Sequence, residues 1–247
     1  MRGVATVKQE LMKRESHTPL HNRLLAAMPR RDYARLAKYL EPVSLILGEV
    51  LHEPGKKIQH VYFPYSGVIS LLAVVNSSKA AEVAVVGDEG VVGGSVALGN
   101  DVSHLRAIVQ GSGTAVRISP ARLRKELGAG GLCFPELLRF SHALLNQAAQ
   151  TAACNQFHTV EARLARWLLA TRDRVHSRHL CLTQEFLSVM LGVRRVGVTT
   201  AATSLQKRKL ITYSRGNIQI LDPAALEAVA CECYGIVKEM YRRSYKK

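Results

Sequence analysis

Between Val43 and Ile118 the chain is written in short β-branched runs, and on either side of that block the apolar residues fall at helical spacing instead. The runs VSLILGEVL, IQHVYFPYSGVISLLAVV, AEVAVVG and RAIVQGSGTAVRI are punctuated by Gly48, Gly55, Gly67, Gly87, Gly90, Gly111 and Gly113. Strands divided by turn residues at such intervals argue for an antiparallel barrel or sandwich. Ahead of it, residues 22–40 space Leu24, Leu25, Met28, Leu36 and Leu40 as a helix interrupted at Pro29. A chain of 247 residues has room for one large or two modest domains. The first 20 residues carry charges but no secretory apolar core, and read as a flexible tail.

Beyond the β block, Ser119-Pro120 is suited to N-cap and N1 of a helix that GAGG at 128–131 would stop. A long helix follows, from about Pro135 to Gln156. Phe134, Leu138, Ser141, Leu145, Ala148 and Ala152 recur at four- and three-residue steps, a coiled-coil-like seam with small residues in its C-terminal half. The seam suits a second copy of the chain, with Leu138, Leu145, Ala148 and Ala152 as dimer contacts. Packing inside its own domain remains the alternative, since the repeat is shorter than about 3–4 heptads. A further helix from Val160 to about Arg174 puts Leu164, Trp167 and Leu168 on one face, with Arg163, Arg166 and Arg174 around it.

Charge narrows the function. The formal net charge is +15, and 16 basic residues stand against 7 acidic ones from His158 onward. A basic field in one third of the chain favours a polyanion, nucleic acid first and anionic membrane second. No apolar run approaches the ~18 residues of a membrane span. Thr183 is a candidate N-cap for a helix over Gln184–Leu191, which Gly192 ends. After this turn a helix from Arg195 to Lys209 sets Val198, Ala201, Ala202 and Leu205 on one side. Val196, Thr199, Thr200, Thr203 and Lys207 lie opposite, with Arg194 and Arg195 at the start. No acidic residue occurs between Glu185 and Asp222, as a phosphate-facing surface prefers. Two short helices about a tight glycine turn form a helix-turn-helix, whose second helix can enter a major groove. LITYSRGNIQILD adds a hairpin around Arg215-Gly216-Asn217, which makes the unit a winged helix. The DNA-facing candidates are therefore Thr183, Arg194, Arg195, Val196, Thr199, Thr200, Thr203, Lys207 and Arg215.

These residues resemble the Crp/Fnr transcription regulators, over nearly the whole chain. RLARWLL, LTQEFLSVMLGVRRVGVTTAATSLQKRKLI and RGNIQI are similar to the family's DNA-binding region, and LGEVLHEPG and VYFPYSGVISL to its cyclic-nucleotide-type β-roll. The resemblance implies an α+β fold in four parts: a tail at 1–20, a β-roll sensor domain at 21–133, a dimerisation helix at 134–157 and a winged helix-turn-helix at 158–247. It also implies a homodimer reading a two-fold symmetric operator in double-stranded DNA, with RNA polymerase among its partners; five cysteines without an evenly spaced framework point to a reducing cytoplasm, and no membrane partner is expected. The family's recognition helix begins Arg-Glu, with a second Arg four residues after the Glu. Here Arg195 is kept, but Val196 and Thr200 take the other two places. Valine and threonine methyls suit thymine methyls, and threonine hydroxyls can bond either base edge.

The sensor departs further. In the phosphate-ribose cassette, VVGGSVAL puts Gly94 where the ribose-binding Glu belongs, and the Arg position falls near His104, with Arg106 two residues away. Gly93, Gly94, Ser95, His104 and Arg106 are the ligand-facing candidates. A cyclic phosphate buried there without its arginine would stand unpaired, so cyclic AMP is not expected. No cofactor is expected. Haem on His52, His60 or His104 stays open, although lone histidines in a β-roll are more often structural. The five cysteines form no CxxC, and no N-terminal cysteine cluster suited to an iron–sulfur centre is present. His176-x-x-His179-x-Cys181 lacks a fourth ligand and reads as a loop beside DNA. Cys231-x-Cys233 falls in an apparent C-terminal helix, where buried cysteine ordinarily acts as a small apolar residue. No metal site is expected. GxSxG, HExxH and P-loop patterns are missing, and Asp88-Glu89 reads as an inter-strand loop, which argues against an enzyme. The rival reading is a small-ligand or cyclic-nucleotide binding module acting on a protein partner.

Overall fold

Asn22 caps the first helix and ties it to the domain beneath. Its Oδ1 accepts from the Leu25 amide at 3.0 Å, and its Nδ2 donates to the carbonyls of Pro64 and Gly90, both at 2.9 Å. In this computed structural model, which describes residues 21–76, 79–128 and 134–245, α1 spans Arg23–Ala27 and α2 Arg30–Ala37. Pro29 stands between them as the N-cap of α2, since its ring cannot continue a helix. The tail at 1–20 and residues 129–133, which hold the last three residues of GAGG, lie outside the described residues.

The glycine-punctuated block folds into two antiparallel sheets. β1 (Glu41–Leu45), β7 (Gly113–Ile118) and β3 (Val61–Pro64) form one, in the order β1-β7-β3. β2 (Val50–His52), β6 (Arg106–Gly111), β4 (Val68–Asn76) and β5 (Lys79–Val86) form the other, in the order β2-β6-β4-β5. Val61, Phe63, Ile69, Leu71, Val109 and Val116 fill the core between them, closed by Leu24 and Leu25 of α1. A short 3-10 turn over Gly94–Leu98 and α3 (Pro120–Gly128) complete the domain.

The long helix α4 runs Phe134–Phe157 and carries two apolar rows. Leu137, Phe140 and Ala143 are buried against the β-roll. Phe140 seats on Gly90, where an added Cβ would lie 2.1 Å from the ring, so no larger residue fits there. The second row is the sequence-predicted seam, and it faces out: Leu138 is 43% and Leu145 69% exposed, Ala152 is exposed, and Ala148 is half-buried.

A second core forms where α5 (Val160–Val175) meets α6 (Gln184–Leu191) and α7 (Arg195–Lys207). It is closed by the small sheet β8 (His179–Cys181), β10 (Asn217–Ile220) and β9 (Ile211–Ser214), ordered β8-β10-β9, and by α8 (Pro223–Val229). Helix α9 (Cys233–Ser244) returns along α4 and plants Tyr241 in the first core. Neighbouring residues of β4 serve both cores: Leu71 belongs to the first and Leu72 to the second, as the two-residue pleat requires. The winged helix thus docks on the outer face of the four-stranded sheet.

That docking seam is also polar. Trp167 Nε1 donates to Glu82 Oε1 at 2.9 Å, and Gln110 Nε2 donates to Thr171 Oγ1 at 2.9 Å. Arg174 and Glu89, both buried, pair at 2.7 Å. Arg163 and Arg166 are buried as well, so part of the C-terminal positive charge is internal rather than on the surface. Asp88 and Glu89 sit in a loop after β5, and Glu89 is a structural counter-ion.

Candidate nucleic-acid interface

Thr183 starts α6 by accepting from the Phe186 amide on its hydroxyl at 3.1 Å. Gly192 ends the helix in the left-handed region at φ 61°, and its N–H reaches the Ser188 and Val189 carbonyls. Three residues later α7 begins at Arg195. Val198, Ala201, Ala202 and Leu205 are buried in it, the four that the spacing assigns to the inner face. The helix ends at Lys207, two residues short of the sequence expectation, and Lys209 adopts φ 56°.

All seven outward candidates from Arg194 to Lys207 are exposed, Val196 at 68%. The Thr199 hydroxyl lies 3.0 Å from Gln184 Oε1 and 3.1 Å from the Arg195 carbonyl, and the Thr200 hydroxyl donates to the Val196 carbonyl at 3.0 Å. Such back-bonding satisfies the hydroxyl protons within the helix and leaves oxygen lone pairs and methyls for a partner. Gln184 Oε1 also lies 3.5 Å from Arg195 Nε, so one amide oxygen from α6 steadies both Arg195 and Thr199. The helical spacing gave no sign of this role for Gln184, because it depends on the angle between α6 and α7.

The wing is a two-residue hairpin. Ser214 pairs with Asn217, and Arg215 and Gly216 between them have φ 48° and 80°. Two successive positive φ values suit the twist of a hairpin, and arginine in the first place takes a conformation ordinarily left to Asn, Asp or Gly. The wing is fastened to the start of α6: the Leu182 amide donates to the Gly216 carbonyl at 2.6 Å, and the Tyr213 hydroxyl to the Leu182 carbonyl at 2.9 Å. A Cβ on Gly216 would lie 3.6 Å from Thr183 Cγ2, so Thr183 and the wing tip adjoin. Helix α7 has no side-chain N-cap and no acidic residue in its first turn, which leaves amide donors available to a phosphate.

The ligand-facing candidates divide. Gly93, Gly94, Ser95 and His104 line a cavity of about 360 Å³ between the β-roll and α4, together with Leu145 and Ala148 of the long helix. Arg106 is not in its lining and pairs with Glu53 at 3.0 Å. No Asp, Glu, Lys or Arg lines the cavity among the described residues. His52 borders it with Nε2 2.8 Å from the His60 carbonyl, and burial pushes its pKa below the usual imidazole value.

His176 lies 3.7 Å from Asp88, while His179 and Cys181 sit in β8, so H-x-x-H-x-C is not gathered into one site. A different group is gathered: Cys154, His158, Cys231 and Cys233 bring their ligand atoms within 4.8 Å of one another. The spacing Cys154-x3-His158, one turn apart at the end of the long helix, was the legible half of that signal.

Together these elements make one fold: a β-roll, a long helix with an outward apolar row and a winged helix-turn-helix. Residues 162–229 match the Crp-like helix-turn-helix domain, and the fold is that of the Crp/Fnr transcription regulators. FixK2 from Bradyrhizobium japonicum is 16% identical with a TM-score of 0.64, over 78% of this chain and 98% of that one. Two regulators from Thermus thermophilus, TTHB099 and TTHA1359, are 18% and 22% identical, with TM-scores of 0.62 and 0.61. They cover 76% and 77% of this chain and 96% and 98% of their own. At such identities the likeness is one of fold. No curated protein matches the chain. Among the described residues no helix is long and apolar enough to cross a membrane.

Proposed function

We propose that the protein is a sequence-specific, DNA-binding transcription regulator that works as a homodimer. The observation that carries this reading is the outer face of α7. It presents Arg195, Val196, Thr199, Thr200 and Thr203 to solvent with no acidic residue from Phe186 to Leu221. A protein surface that exposes an apolar Val196 among hydroxyls and guanidinium groups has the chemistry of base edges and phosphates. Arg194, Lys207 and Arg215 serve the backbone, and Thr183 supports the wing. Leu138, Leu145, Ala148 and Ala152 form the dimer contact, and the two-fold axis places two α7 helices on successive turns of a symmetric operator. Selection from random duplex DNA tests the reading. It should yield inverted half-sites with centres about 34–36 Å apart, whereas recovery of no preferred sequence would refute it.

The β-roll cavity takes an uncharged, largely apolar effector and not a cyclic nucleotide. Among the described residues its lining offers no lysine or arginine for a phosphate and no carboxylate for a ribose. It abuts the outward row of α4 through Leu145 and Ala148, so an occupant would touch the sensor and the dimer contact together. The protein works in the cytoplasm, with RNA polymerase as the partner through which it acts on transcription.

A further inference from the structure

Cys154 lies in the last turn of α4, and His158 between α4 and α5. Cys231 and Cys233 flank the turn between α8 and α9. The three cysteines are buried and belong to neither large core; they form a small cluster of their own, with Ala162 packed against it. Simple apolar packing does not explain the polar groups aimed at them. Gln150 Nε2 donates to Cys233 Sγ at 3.1 Å, and His158 turns its Nδ1 toward the same sulfur at 3.6 Å. The other imidazole nitrogen, Nε2, lies 3.1 Å from the Glu232 carboxylate.

The distances fit a tetrahedral ion. With Zn–S of about 2.3 Å and Zn–N of about 2.0–2.1 Å, ligand atoms at tetrahedral corners stand about 3.7 Å apart for sulfur pairs and about 3.5 Å for sulfur and nitrogen. Cys154 Sγ and Cys231 Sγ are 3.5 Å apart, and Cys233 Sγ and His158 Nδ1 3.6 Å. The remaining pairs fall within 4.8 Å, about 1 Å beyond the tetrahedral separation. We propose that Cys154, His158, Cys231 and Cys233 bind one zinc ion per chain in a closed, structural site. Three thiolates and an imidazole select zinc over calcium, magnesium or manganese, and four protein ligands leave no open position for catalysis.

The surroundings agree with a bound ion. Glu232 holds His158 through Nε2, the orientation that presents Nδ1 to a metal. Zinc with three thiolates carries one net negative charge, and two buried guanidinium groups stand by to balance it. Arg163 and Arg166 interact electrostatically with Cys154, and the Nε of each is buried without a hydrogen-bond acceptor among the described residues. Cys231-x-Cys233 is tighter than the common two-to-four-residue spacing, and the turn at Glu232 brings both sulfurs to one side. Zinc here would staple the end of the long helix to the C-terminal segment at the junction from which the winged helix departs.

The test uses full-length, untagged protein purified under reducing conditions. Elemental analysis should find one equivalent of zinc, retained in Cys181→Ser, whose cysteine is exposed and outside the cluster. Cys231→Ser should bind zinc at least about tenfold more weakly in competition with a chromophoric chelator. Cobalt added to metal-free wild type should give thiolate charge-transfer and tetrahedral d–d bands. This measurement decides the matter even where a variant fails to fold. A reduced wild type that gives no such bands, or zinc affinity unchanged by Cys231→Ser, overturns the assignment. A reduced protein that takes up no cobalt, but whose Cys154 and Cys231 form a disulfide when added oxidised glutathione is reduced to two thiols, would overturn the assignment and make the group a thiol pair.

Discussion

The Glu82 carboxyl lies 2.6 Å from the Ser70 hydroxyl, and that hydroxyl also contacts the amide oxygen of Gln110. Ser70 has one proton for two acceptors. The chain is satisfied when Glu82 is neutral: it donates to Ser70, Ser70 donates to Gln110, and Trp167 donates to the other Glu82 oxygen. Burial works in the same direction and pushes the Glu82 pKa up to about 7, against the weaker pull of Ser70, Arg166, Trp167 and Arg174. A carboxyl raised in the folded state contributes stability that is present below about 4.5 and lost as pH rises through about 7. Urea unfolding should therefore show wild type losing stability across that window relative to Glu82→Gln, with the variant the more stable above neutral pH. Parallel pH profiles would mean that Glu82 does not titrate there.

The Arg174–Glu89 pair crosses the same seam, from α5 to the loop after β5. Removing one partner of a buried pair strands the other, at a cost of about 3–5 kcal/mol. Glu89→Ala should destabilise by that order, and adding Arg174→Met should recover part of the loss. Additive losses in denaturant unfolding would show that the pair is not coupled.

The outward row of α4 should be a dimer contact. Leu145→Asp would set two carboxylates face to face in an apolar seam. Sedimentation should then give a monomer with much weaker operator binding. An unchanged dimer would place the interface elsewhere.

Cyclic AMP should neither bind tightly nor alter DNA affinity. Gly94 and His104 line the cavity and supply no carboxylate or guanidinium, and Arg106 is engaged by Glu53. Calorimetry should show no micromolar binding; a titration that does, with a matching shift in DNA affinity, would reverse this reading of the cavity.

What the sequence made legible was what depends on neighbours along the chain. The buried face of α7 followed from spacing, the break at Pro29 from its ring, and the hairpin at Arg215-Gly216 from turn chemistry. The unforeseen features depend on residues brought together from distant segments. Leu71 and Leu72 serve opposite cores, yet VISLLAVV shows only that both faces are apolar. Glu82 meets Trp167 across 85 positions, and Cys154 meets Cys231 across 77. Helical spacing places Arg174 beside the apolar face of α5 but cannot say that Glu89 waits for it.

Arg195 and Arg215 should fail in different ways. Arg195 opens α7, where Gln184 steadies its Nε and where a bidentate contact to guanine O6 and N7 is geometrically open to the terminal amino groups. Arg195→Ala should cost about 1–3 kcal/mol on a selected operator, relax preference at one base pair per half-site, and leave random duplex less affected. Gln184→Ala should give a smaller version of the same loss, since it removes the support and keeps the guanidinium. Arg215 stands at the wing tip, the position proposed above for a phosphate contact. Arg215→Ala should weaken selected and random DNA alike and lower the slope of log affinity against log salt by about one per contact. Titrations of the three variants on both DNAs at several salt concentrations separate these outcomes. Equal losses on the two DNAs for Arg195→Ala would remove it as a base reader while leaving the protein a DNA binder.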